Sequence, residues 1–387
     1  DYYKSVVDVD IKNANIALQT QRKLLSDSTE HIKELMVMQE MPQPKKTFLL
    51  NRGQYDAPTK QVFPNTPEKI LPFSSQLPKN RYGLAQWLTD ARNPLTARVA
   101  INHLWQNFFG KGLVKTAEDF GNQGEMPSHL NLLDWLAIEL RDNNWDIKKI
   151  NKLMVMSATY QQDSKASGKL MEKDPENKLL ARGPSIRLSA EMIRDNALVA
   201  SGLLNKELGG KSVYPYQPEG LWEINGTKYN QDSTDQVYRR SLYIILKRTV
   251  PNPTLANFDG PSRASCVVRR QSTNTPLQAL VTLNDPTFIE AAKVIGESIT
   301  KQQNTTAAIG LAYRQLTGIT PTSKQIALLS AMQQTEYNKF KANPNKIKGW
   351  INTGLYKINT TLDPYWVAAN SVVASTILNS DATITKR

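Results

Sequence analysis

Between Asn80 and Tyr160, apolar residues recur at helical spacing in four consecutive stretches, most of them bounded by residues that start or stop helices. "RYGLAQWLTD" places Leu84, Trp87 and Leu88 on one face. "NPLTARVAINHLWQNFFG" opens on Asn-Pro and closes on Gly110. "PSHLNLLDWLAIELRDNN" offers Ser128 as an N-cap, with Leu130, Leu133, Leu136 and Leu140 facing inward. "IKKINKLMVMSATYQQ" is amphipathic in the same way. A chain punctuated like this has to build its core from packed helices.

The rest fits that frame. "SAEMIRDNALVASGLL" reads as a helix capped by Ser189 and stopped before Gly209 and Gly210. Beyond Thr300 three or so more helices follow, ending with "YWVAANSVVASTILNS". Residues 4 to 41 carry Val6, Val9, Ile16, Leu24, Leu25, Ile32, Leu35 and Met36 among polar neighbours, which predicts one or two amphipathic helices with His31 facing solvent. Their apolar stripe lacks a partner nearby in sequence, so it is expected to pack against another domain or chain. Prolines 42, 44, 58, 64, 67 and 72 break any helix in the next stretch, leaving "TFLLNRG" as a short strand in a segment that wraps over the core. "RRSLYIILKRT" alternates Leu242, Ile244 and Leu246 against Tyr243 and Ile245, the pattern of a strand. "VYPYQPEGLWEINGTKYNQDSTDQ" reads as an aromatic loop. The fold class is mainly α: a helical core with long ordered proline- and glycine-rich loops and a few short strands.

In "RRQSTNTPLQALVTLND", Pro276 suits the first turn of a helix because its missing N–H would be unpaired there anyway. The chain turns at Ser272 to Thr275 and sends that helix into the core, with Thr275 or Asn274 as cap. Arg269 and Arg270 then lie beside the arginines of the strand, and Gln278 satisfies a loop carbonyl.

Several chemistries are excluded or disfavoured. Cys266 is the only cysteine, so an intrachain disulfide and a CxxC haem or metal motif are ruled out. Its "SCVV" setting predicts a buried, unmodified thiol. No HExxH, His-x-His or DxDxDG-type loop appears, and no metal set is expected. Gly110, Gly112, Gly121 and Gly124 lack the spacing of a phosphate-binding loop and predict a tight irregular turn instead. His103 reads as a packed or surface histidine. His129, Ser128 and Asp134 could form a nucleophilic trio, but Ser128 is better placed as a cap. No RNA- or DNA-reading motif is present, so no nucleic-acid partner is expected. No run is long and apolar enough to span a membrane. The net charge of +13 favours polyanions in general, although the lysines are spread along the whole chain like a solvated surface.

The strongest constellation is rich in arginine. Arg187, Glu191, Arg194 and Asp195 share one helical segment; Arg239, Arg240, Lys247 and Arg248 flank the expected strand; Asp259, Arg263, Arg269 and Arg270 follow it. Tyr214, Tyr216, Trp222, Tyr229 and Tyr238 lie in the loop before it. One reading is a site in which Arg194, Arg239, Arg240, Arg248, Arg269 and Arg270, with Trp222 and Tyr216, bind an anionic or sugar ligand. Glu191, Asp195 or Asp259 would then be the acid or base of any reaction. The other reading is a buried ion network that pins long loops to the helical core. Both predict Arg194, Arg240 and Arg270 within salt-bridge distance of those carboxylates.

"NRYGLAQWLTDARNPLTARVAINHLWQNFFGKGLVKTAEDFGNQGEMPSHLNLLDWLA", "RLSAEMIRDNALVASGLL", "GGKSVYPYQPEGLWE", "YRRSLYIILKRT", "FDGPSRASCVVRRQSTNTPLQALVTLND" and "VASTILNSDATITKR" together resemble the planctomycete-specific domain at the C-terminal end of cytochrome-c-linked exported proteins. The likeness covers roughly residues 45 to 387. The chain departs from the family pattern at Leu130, usually proline, and at His103, usually arginine. The resemblance implies a domain of unknown function, exported to the periplasm or cell surface, beside polysaccharide or other polymer metabolism. It also implies upstream partner domains, with haem c carried there and no cofactor in this chain. The expected organisation is a lead-in over 1–44, a domain core over 45–300 and a C-terminal helical segment over 301–387. Three roles stay open: binding an anionic polysaccharide, scaffolding a haem domain or partner proteins, and a hydrolase or lyase.

Overall fold

The computed structural model describes residues 2–30, 32, 34–223 and 226–386. His31, expected on the leading helix, lies outside them. The chain divides into two compact units, Asp1–Asn93 and Pro94–Arg387.

The first unit holds helix α1 (Val9–Glu30), strands β1 (Thr47–Leu50) and β2 (Pro58–Val62), and helix α2 (Arg81–Leu88). The helix expected over 4–41 forms only in part, and residues 34–41 are not helical. No residue of α1 is buried, and Val9, Ile16, Leu24 and Leu25 stand in solvent. The expectation that this stripe is covered gains no support. "TFLL" is the expected strand, and it pairs antiparallel with the unexpected β2, Thr47 opposite Val62. Pro58 is tolerated there because it opens the strand, where its missing donor matters least. Asn80 caps α2 by accepting from Gly83 N at 3.0 Å. Trp87 is buried and donates to the Leu71 carbonyl at 2.8 Å, whereas Leu84 and Leu88, expected beside it, stay exposed.

The second unit is helical, and its buried apolar residues form four clusters. Helices α3 (Thr96–Phe109), α4 (Leu130–Asp142) and α5 (Ile147–Val155) enclose Ile101, Trp105, Leu133, Leu136, Leu140, Ile150 and Met154. Gly110 ends α3 at φ 80°, and Asp146 caps α5 by accepting from Lys149 N. Ser128 is not the cap of α4. His129 holds that position without a side-chain bond to the helix, Ser128 Oγ donates to the Leu113 carbonyl, and Leu130 is exposed.

After the short α6 (Gly168–Lys173) come α7 (Ala190–Ser201), α8 (Pro253–Asn257), α9 (Pro276–Asn284), α10 (Pro286–Thr300), α11 (Thr305–Thr317), α12 (Ser323–Ala342), α13 (Lys348–Ile351), α14 (Pro364–Leu378) and α15 (Asp381–Ile384). Helix α7 starts on Ser189 as expected and stops at Gly202, φ 79°, earlier than expected. Helices α10 and α14 both open on Asp-Pro, the carboxylate accepting from the second residue of the helix. They form the centre of the larger core. Ala291, Ala292, Ala369 and Ala374 are small enough for close approach. A Cβ on Gly296 would lie 2.5 Å from Ser371 N, so only glycine fits. Strands β3 (Ile186–Arg187) and β4 (Thr385–Lys386) pair antiparallel and tie the last residues to the middle of the chain.

The strand expected over "RRSLYIILKRT" is absent. Ser241–Tyr243 form one turn of 3-10 helix, followed by a single parallel bridge between Val213 and Ile244. Its alternation was only half realised: Ile244 is 4% exposed, but Leu242 is 74% exposed. The cause is Asp195, which accepts from both Ser241 N and Ser241 Oγ and holds the backbone in a turn. Thr275 caps helix α9, as expected, and forms a capping box with Gln278, yet the helix is turned inside out. Gln278 and Thr282 are buried, while Leu277, Leu280 and Leu283 face solvent.

Candidate functional site

Helix α7 presents Arg194 and Asp195 to the turn at 237–241. Arg194 is 2% exposed and donates to the carbonyls of Arg239 (2.9 Å) and Val237 (2.5 Å) and to Ser241 Oγ (3.2 Å). Its nearest carboxylate, Asp195, is 3.8 Å away. Burial pulls the Arg194 guanidinium below its ordinary value, opposed by Asp195 and Asp285. Arg239, 1% exposed, donates to the carbonyls of Glu207, Gly209 and Lys211, and its guanidinium lies 4.0 Å from the Tyr243 ring centroid. The expected network is therefore real in its inner part, but the two enclosed arginines are held mainly by peptide dipoles instead of carboxylates.

The other members scatter. Asp259 accepts from Arg187 (2.6 Å) and from Thr273 N and Oγ1 (2.8 and 2.9 Å). Burial works to raise the Asp259 carboxyl, but those donors outweigh it and hold it below its ordinary value. Glu191 behaves alike: burial raises it, and the Arg270 guanidinium at 2.5 Å brings it below the ordinary range. Arg269 pairs with Glu118 at 2.8 Å, away from the arginines at 239–248 it was expected to join. Arg240 and Arg248 are exposed, and the expected ion pair of Arg240 is absent among the described residues. Trp222 meets Tyr214 and Tyr229 edge to face, with Lys247 Nζ 4.7 Å from its ring centroid. His129 touches Ser128, but Asp134 is taken by Arg98 at 2.6 Å, so the trio does not assemble. Cys266, expected buried, is exposed. Gln278 does satisfy a loop carbonyl, that of Asn257, at 2.9 Å.

Tyr216 belongs to a different cluster, which the sequence did not reveal. The fully buried Glu290 accepts from Tyr216 OH (2.8 Å), Tyr238 OH (2.7 Å) and Tyr356 N (2.6 Å). Lys293, one turn on, donates to the carbonyls of Thr353 and Tyr356. Burial, reinforced by Glu290, pushes both tyrosine hydroxyls above their ordinary range, so they remain donors. The group clamps segment 353–356 onto α10.

Neither of two cavities among the described residues is lined by those arginines. One is an apolar groove between α11 and α12. The other, about 130 Å³, opens where α3 ends. Its apolar lining includes the stacked pair Trp105 and Phe109, with centroids 3.9 Å apart, and Leu113 and Leu180. The fully buried Asn102 holds one wall, donating to the Val114 carbonyl at 3.0 Å and accepting from Val114 N at 2.8 Å. Gly112 is required there because a Cβ would come within 2.6 Å of the Asn102 amide. In the facing wall, Asp174 accepts from Lys178 N and Leu179 N, and Arg182 donates to the carbonyls of Asp174 and Pro175. That turn forces Asn177 and Leu180 to φ 54° and 55°. For a leucine this conformation costs about 1–2 kcal/mol, a strain that gathers at functional sites.

The two walls present charge to each other. Glu176 lies 3.3 Å from Lys111, 3.3 Å from Lys115 and 3.7 Å from Lys178, and Glu125 is 3.8 Å from Lys115. Lys111 and Lys115 hold the Glu176 carboxyl below its ordinary range. Three ammonium groups thus face two carboxylates beside an apolar lining. A cleft of about 130 Å³ is smaller than a typical ligand pocket, and what it can take is one anionic group of a larger ligand.

A family described as PSD1, protein of unknown function (DUF1553), matches residues 80–333, a span that includes both walls of the cleft. No curated protein and no solved structure matches the chain.

Proposed function

The chain belongs to the PSD1 family of proteins of unknown function, and we propose that it binds a sugar carrying anionic groups in the cleft between Lys111 and Lys178. The carrying observation is the convergence of Lys111, Lys115 and Lys178 on one carboxylate beside the Trp105–Phe109 stack. Ammonium groups suit carboxylate and sulfate as point charges, and an apolar lining suits the C–H face of a pyranose. The resemblance to exported, cytochrome-c-linked proteins of planctomycetes supports placing this activity in the periplasm or at the cell surface, in polysaccharide or polymer metabolism. Haem then belongs to domains upstream. Calorimetric titration with polygalacturonate and dextran sulfate, beside neutral dextran, tests the reading. Binding of the charged polymers that weakens with salt supports it, and equal binding of neutral dextran counts against it.

A second reading, a scaffold for an upstream haem domain or partner proteins, is favoured by one feature. Helix α1 presents Val9, Ile11, Ile16, Leu18, Leu24 and Leu25 uncovered, a surface that soluble chains commonly cover with a partner.

A further inference from the structure

The cleft contains its own anion. Glu176 occupies the point on which Lys111, Lys115 and Lys178 converge, so an incoming anionic group meets cations that already have a partner. We propose that Glu176 is a stand-in for the ligand's anionic group and sets the specificity of the cleft, admitting sulfated sugars over carboxylated ones. This rests on the anionic-sugar reading of the same cleft.

The geometry gives Glu176 freedom that its backbone lacks. The turn is pinned by Asp174, Arg182 and the Asn177 side chain, which donates to the Arg182 carbonyl at 2.9 Å. The Glu176 side chain, by contrast, is 36% exposed and can swing into water without moving the wall. A sugar carboxylate offers the lysines what Glu176 already gives them, two oxygens and one charge, so exchange gains little. A sulfate ester also carries one charge but spreads three oxygens over a tetrahedral face, enough for one contact to each of the three ammonium groups. Glu125, paired with Lys115, completes the rim and keeps one positive charge in excess while Glu176 is in place. With Glu176 displaced the excess rises to two, which is the state that holds the ligand.

The test is calorimetric titration of wild type and Glu176→Gln with glucose 6-sulfate and with glucuronate, with thermal melts to confirm that the variant folds. Wild type should prefer the sulfate ester. Glu176→Gln should bind glucuronate tighter by roughly 3–10-fold, the scale of a few exposed ion pairs, and the preference should narrow. If wild type binds both sugars and loses them with Lys111→Ala, but Glu176→Gln leaves both affinities unchanged or weaker, the stand-in role is overturned and the binding cleft stands. If wild type binds neither sugar and no charged polymer, both proposals fall together.

Discussion

The Arg194 guanidinium donates to the main-chain carbonyl of Arg239 at 2.9 Å, while the Arg239 guanidinium reaches on to three further carbonyls at Glu207, Gly209 and Lys211. Two enclosed cations are thus neutralised in series by the backbone of the loops they hold. Removing the first should be costly. Arg194→Ala leaves the carbonyls of Val237 and Arg239 unpaired, and unfolding by urea should show a loss of about 3 kcal/mol. Arg240→Ala, on an exposed side chain, should stay within about 0.5 kcal/mol of wild type.

Asp259 ties stability to acid. Its folded-state carboxyl is held below the ordinary 3.8, because donors from Thr273 and Arg187 outweigh burial. A depressed carboxyl contributes fully above its unfolded value and loses that contribution as pH falls through the folded one. Asp259→Asn should therefore melt several degrees below wild type at neutral pH, with the gap closing below about pH 4. Asparagine tolerates the positive φ of this position, so backbone strain does not confuse the comparison. A gap that is constant across the titration would contradict the account.

Gly354 packs against the buried carboxylate of α10. A Cβ there would lie 2.1 Å from the Glu290 carboxyl carbon, at a backbone φ of 80°. Gly354→Ala should lower stability by roughly 2–3 kcal/mol, read by chemical denaturation.

Cys266 is exposed in the segment between Arg263 and Arg269. A thiol reagent should modify it in the native protein about as fast as in the unfolded chain, without changing the melting temperature. Slow, denaturant-dependent labelling would restore the buried thiol that "SCVV" suggested.

What was legible in the sequence was local. Ser189, Gly110 and Pro276 mark helix ends because caps satisfy backbone groups within a few residues, and all three hold their positions. What was illegible depends on distant partners. Alternation at 242–246 could not reveal that Asp195 bends the chain at Ser241. The pattern of α9 gave no sign that Gln278 and Thr282 would turn inward, one to a carbonyl at Asn257 and the other to the Asn379 side chain, leaving leucines outside. Arginines near apolar residues mark buried cations correctly for Arg194 and Arg239, but their peptide-carbonyl partners leave no mark in a sequence, whereas carboxylates do. The cleft leaves no local mark in the sequence, because Lys115 and Glu176 are 61 positions apart.

The most direct measurement compares two double variants. Lys111→Ala/Lys115→Ala removes two cations of the cleft; Arg240→Ala/Arg248→Ala removes two exposed cations elsewhere, with the same change in net charge. Titration with dextran sulfate at fixed salt should show the first variant weakened by about tenfold or more and the second close to wild type. Equal weakening of both variants would mean that charge alone attracts the polymer, and a loss confined to the Arg240→Ala/Arg248→Ala protein would place the site on the arginine face and contradict the cleft.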